Sequence, residues 1–459
     1  MDRKNWVRLD NASNIFLAAR NEIDTKVFRL SAEVENLVQP DILQKALDKT
    51  YDQYALYHSV LRRGVFWYYL EKSDLRPKVE LERKSPCEQI YHNDRRELLF
   101  RVMYFNNRIH LEVFHALSDG TGALWFFRDL LTEYLFLRHT DDHIEEFEKM
   151  SEHVKEQLED SFFRYFRHRR QDDFTAVAES ALEEAKEELK EEGIEEYNAI
   201  LPDYSLKSWY QSSYQIEGHQ TLDNRTHVTE LSMPVRRLLD LAHEENVSLT
   251  VYLTALFMIA VNNTSPPTKK GKNIRLSLPV NLRQMFPSNS PRNFFTAVYL
   301  AYTFYPDNEV NITNICKSLH KQLKSKTTKE YLQQRLQQVI SFEFNPFIRG
   351  VIRPIKDLIL KGINWGNNRQ VTIALSNLGR VQLPEPLSNH VRGLYFHTSA
   401  VRPQMSVVSH KDKLTVSFSS PFIETKIEKE FVQLLSKQNV PISVASNKIR
   451  YSQIEGEEP

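Results

Sequence analysis

The residues whose side chains could most readily take part in catalysis lie in the segment RIHLEVFHALSDGTGALWFFRDLL, residues 108–131. His115 follows a stretch whose alternating apolar residues predict a strand, and Asp119 and Gly120 come just before an amphipathic helix. Histidine titrates near neutrality, so it could take a proton from an alcohol or amine and pass it to a leaving thiolate. The spacing therefore predicts that His115 is a general base at a strand-to-helix junction.

The same spacing has a structural interpretation. Asp119 could be the N-cap of the following helix, and His115 a hydrogen-bonded histidine of the core. Gly120 would then serve only the turn, where a missing Cβ allows close approach or an unusual φ. Because His-x-x-x-Asp-Gly often occurs by chance, the motif needs support from the rest of the chain.

The surrounding sequence predicts the elements that would position His115. In the first half it predicts strands at residues 27–34 and 63–71, a helix at 40–54, and a hairpin turn at Asn106-Asn107. The second half predicts a strand followed by two helices, and further strands at residues 274–282, 297–305, 371–378 and 414–420. Strands that alternate with helices in both halves favour a mixed α/β fold.

The chain divides into segments of different composition. Residues 1–197 would form the first domain, with an insertion of charged helices at about 143–197, where opposite charges recur at helical spacing. Residues 198–224 are polar and rich in turn formers, which is typical of a linker. Residues 225–459 would form the second domain. The insertion is typical of solvated helices, although it could also dock a partner protein.

Composition excludes several classes of protein. Lysine plus arginine and aspartate plus glutamate each number 60, so the net charge gives no general attraction to nucleic acid or anionic membranes. Two cysteines, Cys87 and Cys316, cannot form a disulfide framework. The longest apolar run, residues 249–261, is shorter than the ~20 residues of a membrane span. We therefore expect a cytoplasmic protein that does not bind nucleic acid and has no transmembrane segment.

Other catalytic chemistries lack their sequence signatures. There is no G-x-S-x-G hydrolase elbow, no G-x-G-x-x-G and no Walker sequence. His139, Asp141, Asp142 and His143 have side chains that can ligate a metal. They lie beside the charged insertion, which favours a solvated loop, so no metal site is predicted.

Four segments together indicate a family. FHALSDGTG (residues 114–122) is similar to the H-x-x-x-D-G signature of the acyltransferase superfamily of chloramphenicol acetyltransferases, peptide-synthetase condensation domains and alcohol acetyltransferases. LSLPVNLRQMFPSNSPRNFFTAV (276–298) resembles its later P-V-x-x-R segment, which an Asn follows. VTIALSNLGRV (371–381) and WVRLDNASNIFLAARN (6–21) resemble the alcohol acetyltransferase branch. The resemblance therefore covers nearly the whole chain, with the motifs in the family's order.

The resemblance implies an architecture and roles for residues. It implies two chloramphenicol-acetyltransferase-like domains with an active-site tunnel between them. His115 would be the general base, Asp119 a structural partner of Arg283, and Gly120 the residue that permits the tight turn. A buried Asp119–Arg283 pair would tie the His-bearing loop to the second domain.

Ser376 and Asn377 would line the tunnel or bind the oxyanion. Their alternative interpretation is a structural Asn-x-Gly turn after a strand. Condensation domains usually carry a second histidine before the catalytic one, and Phe114 stands at that position here. This difference favours ester over peptide synthesis, and the absence of D-F-G-W-G argues against a plant-type BAHD enzyme.

The predicted function is an O-acyltransferase that moves an acetyl or longer acyl group from acyl-CoA to a small-molecule alcohol. The attack would be direct, within a ternary complex, and no cofactor would be permanently bound. Two alternatives remain open. One is a condensation or ester-forming enzyme that uses an acyl carrier protein, for which the charged helices at 143–197 could be a docking surface. The other is a non-catalytic binding protein of the same fold.

Overall fold

The structure is a computed structural model that describes residues 6–65, 68–139, 158–166, 213–221, 223–269, 271–344 and 353–447. Three sheets organise this part of the chain. The predicted insertion at 143–197 and the linker at 198–224 fall mostly outside the described residues. The helices are α1 (Asn11–Ala19), α2 (Pro40–Gln53), α3 (Gly120–Arg138), α4 (Ser161–Phe166), α5 (Val235–Glu244), α6 (Leu249–Thr264), α7 (Ile312–Lys326), α8 (Lys329–Phe344), α9 (Arg353–Arg369) and α10 (Lys426–Ser436).

The N-terminal lobe is built on a five-stranded sheet. Its strands are β2 (Val27–Val34), β5 (Val79–Leu81), β6 (Phe100–Phe105), β7 (Arg108–Phe114) and β12 (Val391–Thr398), in the order β12-β2-β7-β6-β5. Helices α2 and α3 pack on each other over this sheet, and their apolar faces join one buried core. A small sheet of β1 (Trp6–Arg8), β4 (Tyr68–Lys72) and β3 (Ser59–Arg63) adjoins the lobe.

The C-terminal lobe is built on a mixed seven-stranded sheet with a core of its own. Its strands are β8 (His227–Pro234), β9 (Lys272–Asn281), β10 (Phe295–Phe304), β11 (Ile373–Arg380), β13 (Gln404–His410), β14 (Lys413–Ser420) and β15 (Ser443–Ser446), in the order β10-β9-β11-β13-β14-β8-β15. Helix α6 is buried along most of its length and packs against α7 and α10. The mixed α/β class predicted from the sequence is confirmed.

One strand departs from the division of the chain into halves. Strand β12 comes from the C-terminal half but pairs antiparallel with β2, from Val391 opposite Val34 to Thr398 opposite Phe28. Its side chains contribute to the N-terminal core. The predicted domain boundaries stay a prediction, and β12 shows that a cut at residues 198–224 would not separate the two sheets completely.

Most predicted elements of the first half are present. Strand β2 spans residues 27–34 as predicted, and Asn106 has the positive φ of 51° expected for the β6–β7 hairpin turn. The single strand predicted at 63–71 is wrong. Strand β3 ends at Arg63 and pairs antiparallel with β4, so the chain must reverse between the two strands. The connection between them begins at Gly64. Glycine favours such a reversal, a stronger signal here than the flanking aromatic residues.

In the described ranges no single helix is long and apolar enough to cross a bilayer. Helices α5 and α6 meet the length and composition criteria only when taken together, and they are bent by 85° at their junction.

Candidate active site

His115 lies where β7 ends, at the junction of the two lobes. Its backbone N–H donates to the carbonyl of Lys26 at 2.8 Å, which ties the end of β7 to the start of β2. The imidazole stacks on Phe16 of α1, with ring centroids 4.1 Å apart, and meets Phe28 edge-on at 5.0 Å. Aromatic walls on two sides fix the plane of the ring.

Asn293 fixes the tautomer of His115. The amide Nδ2 of Asn293 lies 2.8 Å from the backbone carbonyl of His115, and a carbonyl can only accept, so this atom must be the donor. The amide oxygen Oδ1 therefore faces Nδ1 of His115, at 3.1 Å, and accepts its proton. A second donation from Nδ2 to Ser13 Oγ, at 3.0 Å, holds the amide in this orientation. Neutral His115 thus carries its proton on Nδ1 and leaves Nε2 with a free lone pair.

The surroundings favour the neutral form of His115. Burial lowers the pKa of the imidazole to about 4, while the negative charge of Asp119 and the Asn293 hydrogen bond act in the opposite direction. His115 is therefore unprotonated at neutral pH and able to accept a proton.

Asp119 serves both lobes through different oxygens. Its Oδ1 accepts from the backbone N–H of Gly122 at 2.8 Å and so caps α3. Its Oδ2 accepts from Arg283 Nη1 at 2.7 Å and from the N–H of Phe294 at 2.8 Å, both in the C-terminal lobe. The capping role and the pairing with Arg283 are therefore both present, and His115 itself is not hydrogen-bonded to this carboxylate.

Arg283 is held by more than Asp119. Its side chain is only 6% exposed, and Nη2 donates to the backbone carbonyls of Ser290 at 2.8 Å and Arg292 at 2.5 Å. The guanidinium also lies over the ring of Trp125 on α3, 5.2 Å from its centroid. These contacts bind the segment that carries Asn293 to the loop that carries Asp119.

Gly120 and Gly122 differ in the space that surrounds them. Gly120 is the first residue of α3 and does not have a positive φ, so an unusual φ is not what this position requires. A Cβ there would lie 3.0 Å from Leu378, which is a tight contact. At Gly122 a Cβ would lie 2.0 Å from the carbonyl oxygen of Pro291 and 2.5 Å from Ser118 Oγ. Gly122 is therefore the position at which the lobes approach too closely for any side chain.

Gly122→Ala should destabilise the protein by about 3 kcal/mol, because backbone must move to admit the methyl group. The midpoint of urea denaturation measures this change. Gly362→Ala is the matched control: no atom lies within 4 Å of its Cβ position, and alanine is the better helix former by about 1 kcal/mol. Equal midpoints for the two variants would show that the close approach at Gly122 carries no energy.

Ser376 and Asn377, the predicted oxyanion or substrate residues, differ in their surroundings. Asn377 is exposed; its Oδ1 accepts from the N–H of Gly379 at 2.8 Å, and its Nδ2 donates to Thr250 at 3.0 Å. Gly379 has a φ of 74°, as the structural Asn-x-Gly turn requires. Ser376 lies one residue earlier on β11 and lines the same cavity as His115. Its hydroxyl makes no hydrogen bond within the described chain, so it is the freer donor.

A cavity between the lobes brings these residues together. It has a volume of about 500 Å³, and His115, Asp119, Gly120, Ser376 and Asn377 all line it. Its walls come from both lobes, with α1 and β2 on one side and β9, β10 and β11 on the other. Arg283 lies behind Asp119 and does not contribute to the lining. A cavity of this size accommodates a small ligand.

A second concavity lies at the other end of the junction between the lobes. It measures about 750 Å³ and is lined by the ion pair of Arg108 with Glu230 and by Tyr395. It is an open groove and holds none of the predicted site residues. The candidate site is therefore the smaller cavity at His115.

The match to a family model decides the family. The model described as alcohol acetyltransferase matches residues 90–438, most of the chain. The chain belongs to the alcohol acetyltransferase family. The resemblance drawn from the H-x-x-x-D-G segment and the later motifs is confirmed. A search of curated protein sequences gives no match.

Several solved structures share the fold of this alcohol acetyltransferase family member. Trichothecene 15-O-acetyltransferase from Fusarium sporotrichioides is similar with a TM-score of 0.61 at 9% identity, covering 94% of this chain and 95% of that one. The first condensation domain of the calcium-dependent antibiotic synthetase gives 0.57 at 13%, with 94% and 96% covered. TRI101 of F. sporotrichioides, in complex with coenzyme A and T-2, gives 0.55 at 11%, with 95% and 98% covered. At these identities the likeness concerns the fold.

Asn293 is a residue of this acetyltransferase-family site whose role the sequence does not predict. It lies in segment 276–298, in the run PRNFF. An asparagine near a strand is a common turn residue, so its type carries little information. Only the fold shows that its amide contacts both Nδ1 and the backbone carbonyl of His115.

Proposed function

We propose that the protein transfers an acyl group from acyl-CoA to a hydroxyl acceptor, with Nε2 of His115 as the general base. The observation that carries the proposal is the orientation of Asn293, since it leaves Nε2 unprotonated on a histidine that lines the interlobe cavity. Membership of the alcohol acetyltransferase family supports the reaction class. The complex of TRI101 with coenzyme A supports the donor by analogy.

The reaction balances without a covalent enzyme intermediate. Nε2 takes the hydroxyl proton as the oxygen attacks the thioester carbonyl carbon, and a tetrahedral oxyanion forms. The C–S bond then breaks, the ester is released, and the imidazolium returns its proton to the departing thiolate. Cys87 and Cys316 are both buried, and neither is among the described residues that line the cavity. Neither is therefore proposed as a nucleophile. The Ser376 hydroxyl is the candidate donor to the oxyanion.

The pH dependence of the reaction should reflect the lowered pKa of His115. A base must be unprotonated, so kcat/KM should stay high down to about pH 5 and fall only as the pH approaches about 4. An ordinary histidine would lose activity from pH 6.5. Between pH 6.5 and 4 the imidazole of His115 is protonated in the unfolded chain but not in the folded one. His115 therefore makes the free energy of unfolding fall as the pH falls through that window.

A pH–rate profile with parallel checks of folding at each pH measures the acid limb. A limb centred near pH 6.5, in protein that remains folded, would contradict the assignment of the buried imidazole as the base.

Asn293 should act as a positioning residue. Asn293→Ala frees the imidazole to change tautomer and orientation, so we expect kcat to fall about 10²-fold with little change in KM. Asn293→Asp keeps an acceptor for Nδ1–H and places a carboxylate beside the ring, so it should move the acid limb to higher pH. Steady-state kinetics across pH separate these effects. A loss of kcat in both variants without a shift in the acid limb would indicate a structural role only.

The nature of the donor can be tested directly. Release of free thiol from acetyl-CoA in the presence of an alcohol panel would support the proposal. Release only from an acyl-carrier-protein thioester would favour a condensation-type enzyme, to which one structural neighbour belongs. If no thioester is consumed across donors and acceptors, the chain is a binding protein of the same fold.

A further inference from the structure

The ring of Phe16 is held face to face with the imidazole of His115. Their centroids lie 4.1 Å apart, and their planes differ by 26°. Phe28 and Phe295 also adjoin the imidazole, but their planes are inclined to it by 65° and 42°, with centroids at 5.0 and 5.7 Å. Of these three rings, Phe16 is therefore the one that presents its face most directly to the imidazole.

Helix α1 fixes Phe16 in this position. Ser13, one turn earlier on the helix, has its hydroxyl 2.9 Å from the backbone carbonyl of Ala116, the residue that follows His115. The Asp10 carboxylate caps the helix, since it accepts from the N–H of Ser13 at 2.8 Å. Phe16 and His115 are therefore held on one framework, and their stacking does not depend on the two rings alone.

The proposed reaction places a positive charge on this imidazole. A buried imidazolium loses hydration, and burial lowers the pKa of His115 to about 4. The charge of Asp119 and the Asn293 hydrogen bond favour the cation, whereas the Lys26 ammonium opposes it. The Asp119 carboxylate is also shared with Arg283 and with two backbone N–H groups. A further source of stabilisation is the face of an aromatic ring, which carries partial negative charge.

We propose that the face of Phe16 stabilises the imidazolium that forms on His115 when it accepts the hydroxyl proton. The inference rests on the proposed function, in which His115 is the general base. The face of an aromatic ring attracts a cation within about 6 Å of its centroid, most strongly where water is excluded. Neutral imidazole gains much less, so the attraction grows as the proton moves to Nε2 and lowers the barrier. Since Phe16 acts through His115, it is a positioning residue rather than a catalytic one.

Fluorination of Phe16 tests this electrostatic role with little change in shape. Site-specific incorporation gives the full-length variants Phe16→monofluorophenylalanine, Phe16→difluorophenylalanine and Phe16→trifluorophenylalanine. Each fluorine withdraws negative charge from the ring face, while the ring keeps nearly the same size. Phe136→trifluorophenylalanine is the matched control for incorporation, since Phe136 is a ring of α3 that is 41% exposed. Thermal unfolding confirms that each variant is folded.

We expect kcat for thiol release from acetyl-CoA to fall in steps with the number of fluorines on Phe16. The total loss should be about 10-fold, with little change in KM. The acid limb of kcat/KM should stay at or below about pH 4, because a weaker attraction for the cation makes His115 harder to protonate. Phe136→trifluorophenylalanine should behave as the wild type.

A purely structural role of Phe16 predicts a different pattern. Loosened packing would admit water to the imidazole, so kcat would fall while the acid limb moved up toward pH 6.5. That pattern, or a kcat unrelated to the number of fluorines, overturns the proposal. Phe16→Leu keeps an apolar side chain without a π face, and it should lose at least as much kcat as the trifluorinated variant. A wild-type kcat in Phe16→Leu also overturns the proposal.

A second measurement separates this inference from the proposed function. Diethyl pyrocarbonate acylates neutral imidazole at its free nitrogen, which places positive charge on the ring before Nδ1 loses its proton. Mass spectrometry of the peptide that carries His115 gives the rate of this reaction without any turnover. If that rate falls with the number of fluorines while no acyl transfer is found, the proposed function fails and the role of Phe16 stands. If acyl transfer depends on His115 but neither rate responds to the fluorines, the role of Phe16 fails and the proposed function stands.

Discussion

His115→Ala should lower kcat for acyl transfer by about 10²–10⁴-fold, the usual contribution of a general base. The variant removes Nε2, the proposed acceptor of the hydroxyl proton, while Asn293, Ser13 and the backbone around β7 keep their other bonds. Thiol release from acetyl-CoA under saturating acceptor measures kcat. Near-normal binding of substrate is expected, since the imidazole is only one of many side chains that line the cavity.

A matched control separates catalysis from damage to the fold. His243→Ala changes an exposed histidine in the last turn of α5 and should leave kcat unchanged. Thermal unfolding of both variants should match that of the wild type within a few degrees. An unchanged kcat in His115→Ala would remove the basis of the proposed mechanism, and an equal loss in His243→Ala would show that the assay reports stability.

Arg283→Ala should reduce the free energy of unfolding by about 3–5 kcal/mol, because it leaves the Asp119 carboxylate buried without its cation. Asp119→Ala should have a similar effect, since it leaves Arg283 uncompensated and removes the cap of α3. The double variant should be more stable than the sum of the two losses predicts, because neither charge is then stranded. Chemical denaturation of all four proteins gives the coupling energy.

The control for this cycle is an exposed ion pair. Arg62 and Glu71 pair across β3 and β4 with side chains 42% and 35% exposed. Arg62→Ala should leave the denaturation midpoint nearly unchanged, since solvent screens such pairs. Strict additivity of the Asp119 and Arg283 variants would mean that the ion pair does not couple the lobes.

Much of the frame around His115 could be predicted from local signals. The alternating residues of β7, the Asn106 turn and the apolar spacing of α3 are properties of short windows, and they locate His115 at a strand end. The partnership of Asp119 and Arg283 came from a family resemblance, because a pair separated by 164 positions leaves no trace in a window. The wrong prediction of a single strand at residues 63–71 also came from a local signal. The aromatic residues favoured a continuous strand, although Gly64 begins the connection at which the chain reverses.

The remainder depends on which elements the fold brings together. Asn293 reaches His115 across 178 positions, and Arg283 reaches Asp119 across 164. Gly122 has no signal in the sequence that distinguishes it from Gly120, since the carbonyl of Pro291 that excludes a side chain belongs to the other lobe. The tautomer of His115 and the close approach at Gly122 both arise from packing between the lobes.

The position of β12 affects how the protein is made on the ribosome. Strand β2 needs β12 as its neighbour, and the two are encoded at residues 27–34 and 391–398. At about 5–20 residues per second, roughly 20–70 s separate their synthesis. Throughout that interval β2 is an unpaired edge of a nascent sheet, the kind of edge that recruits strands from other chains. Shielding of that edge by chaperones during translation should therefore decide how much of the protein is recovered in a native state.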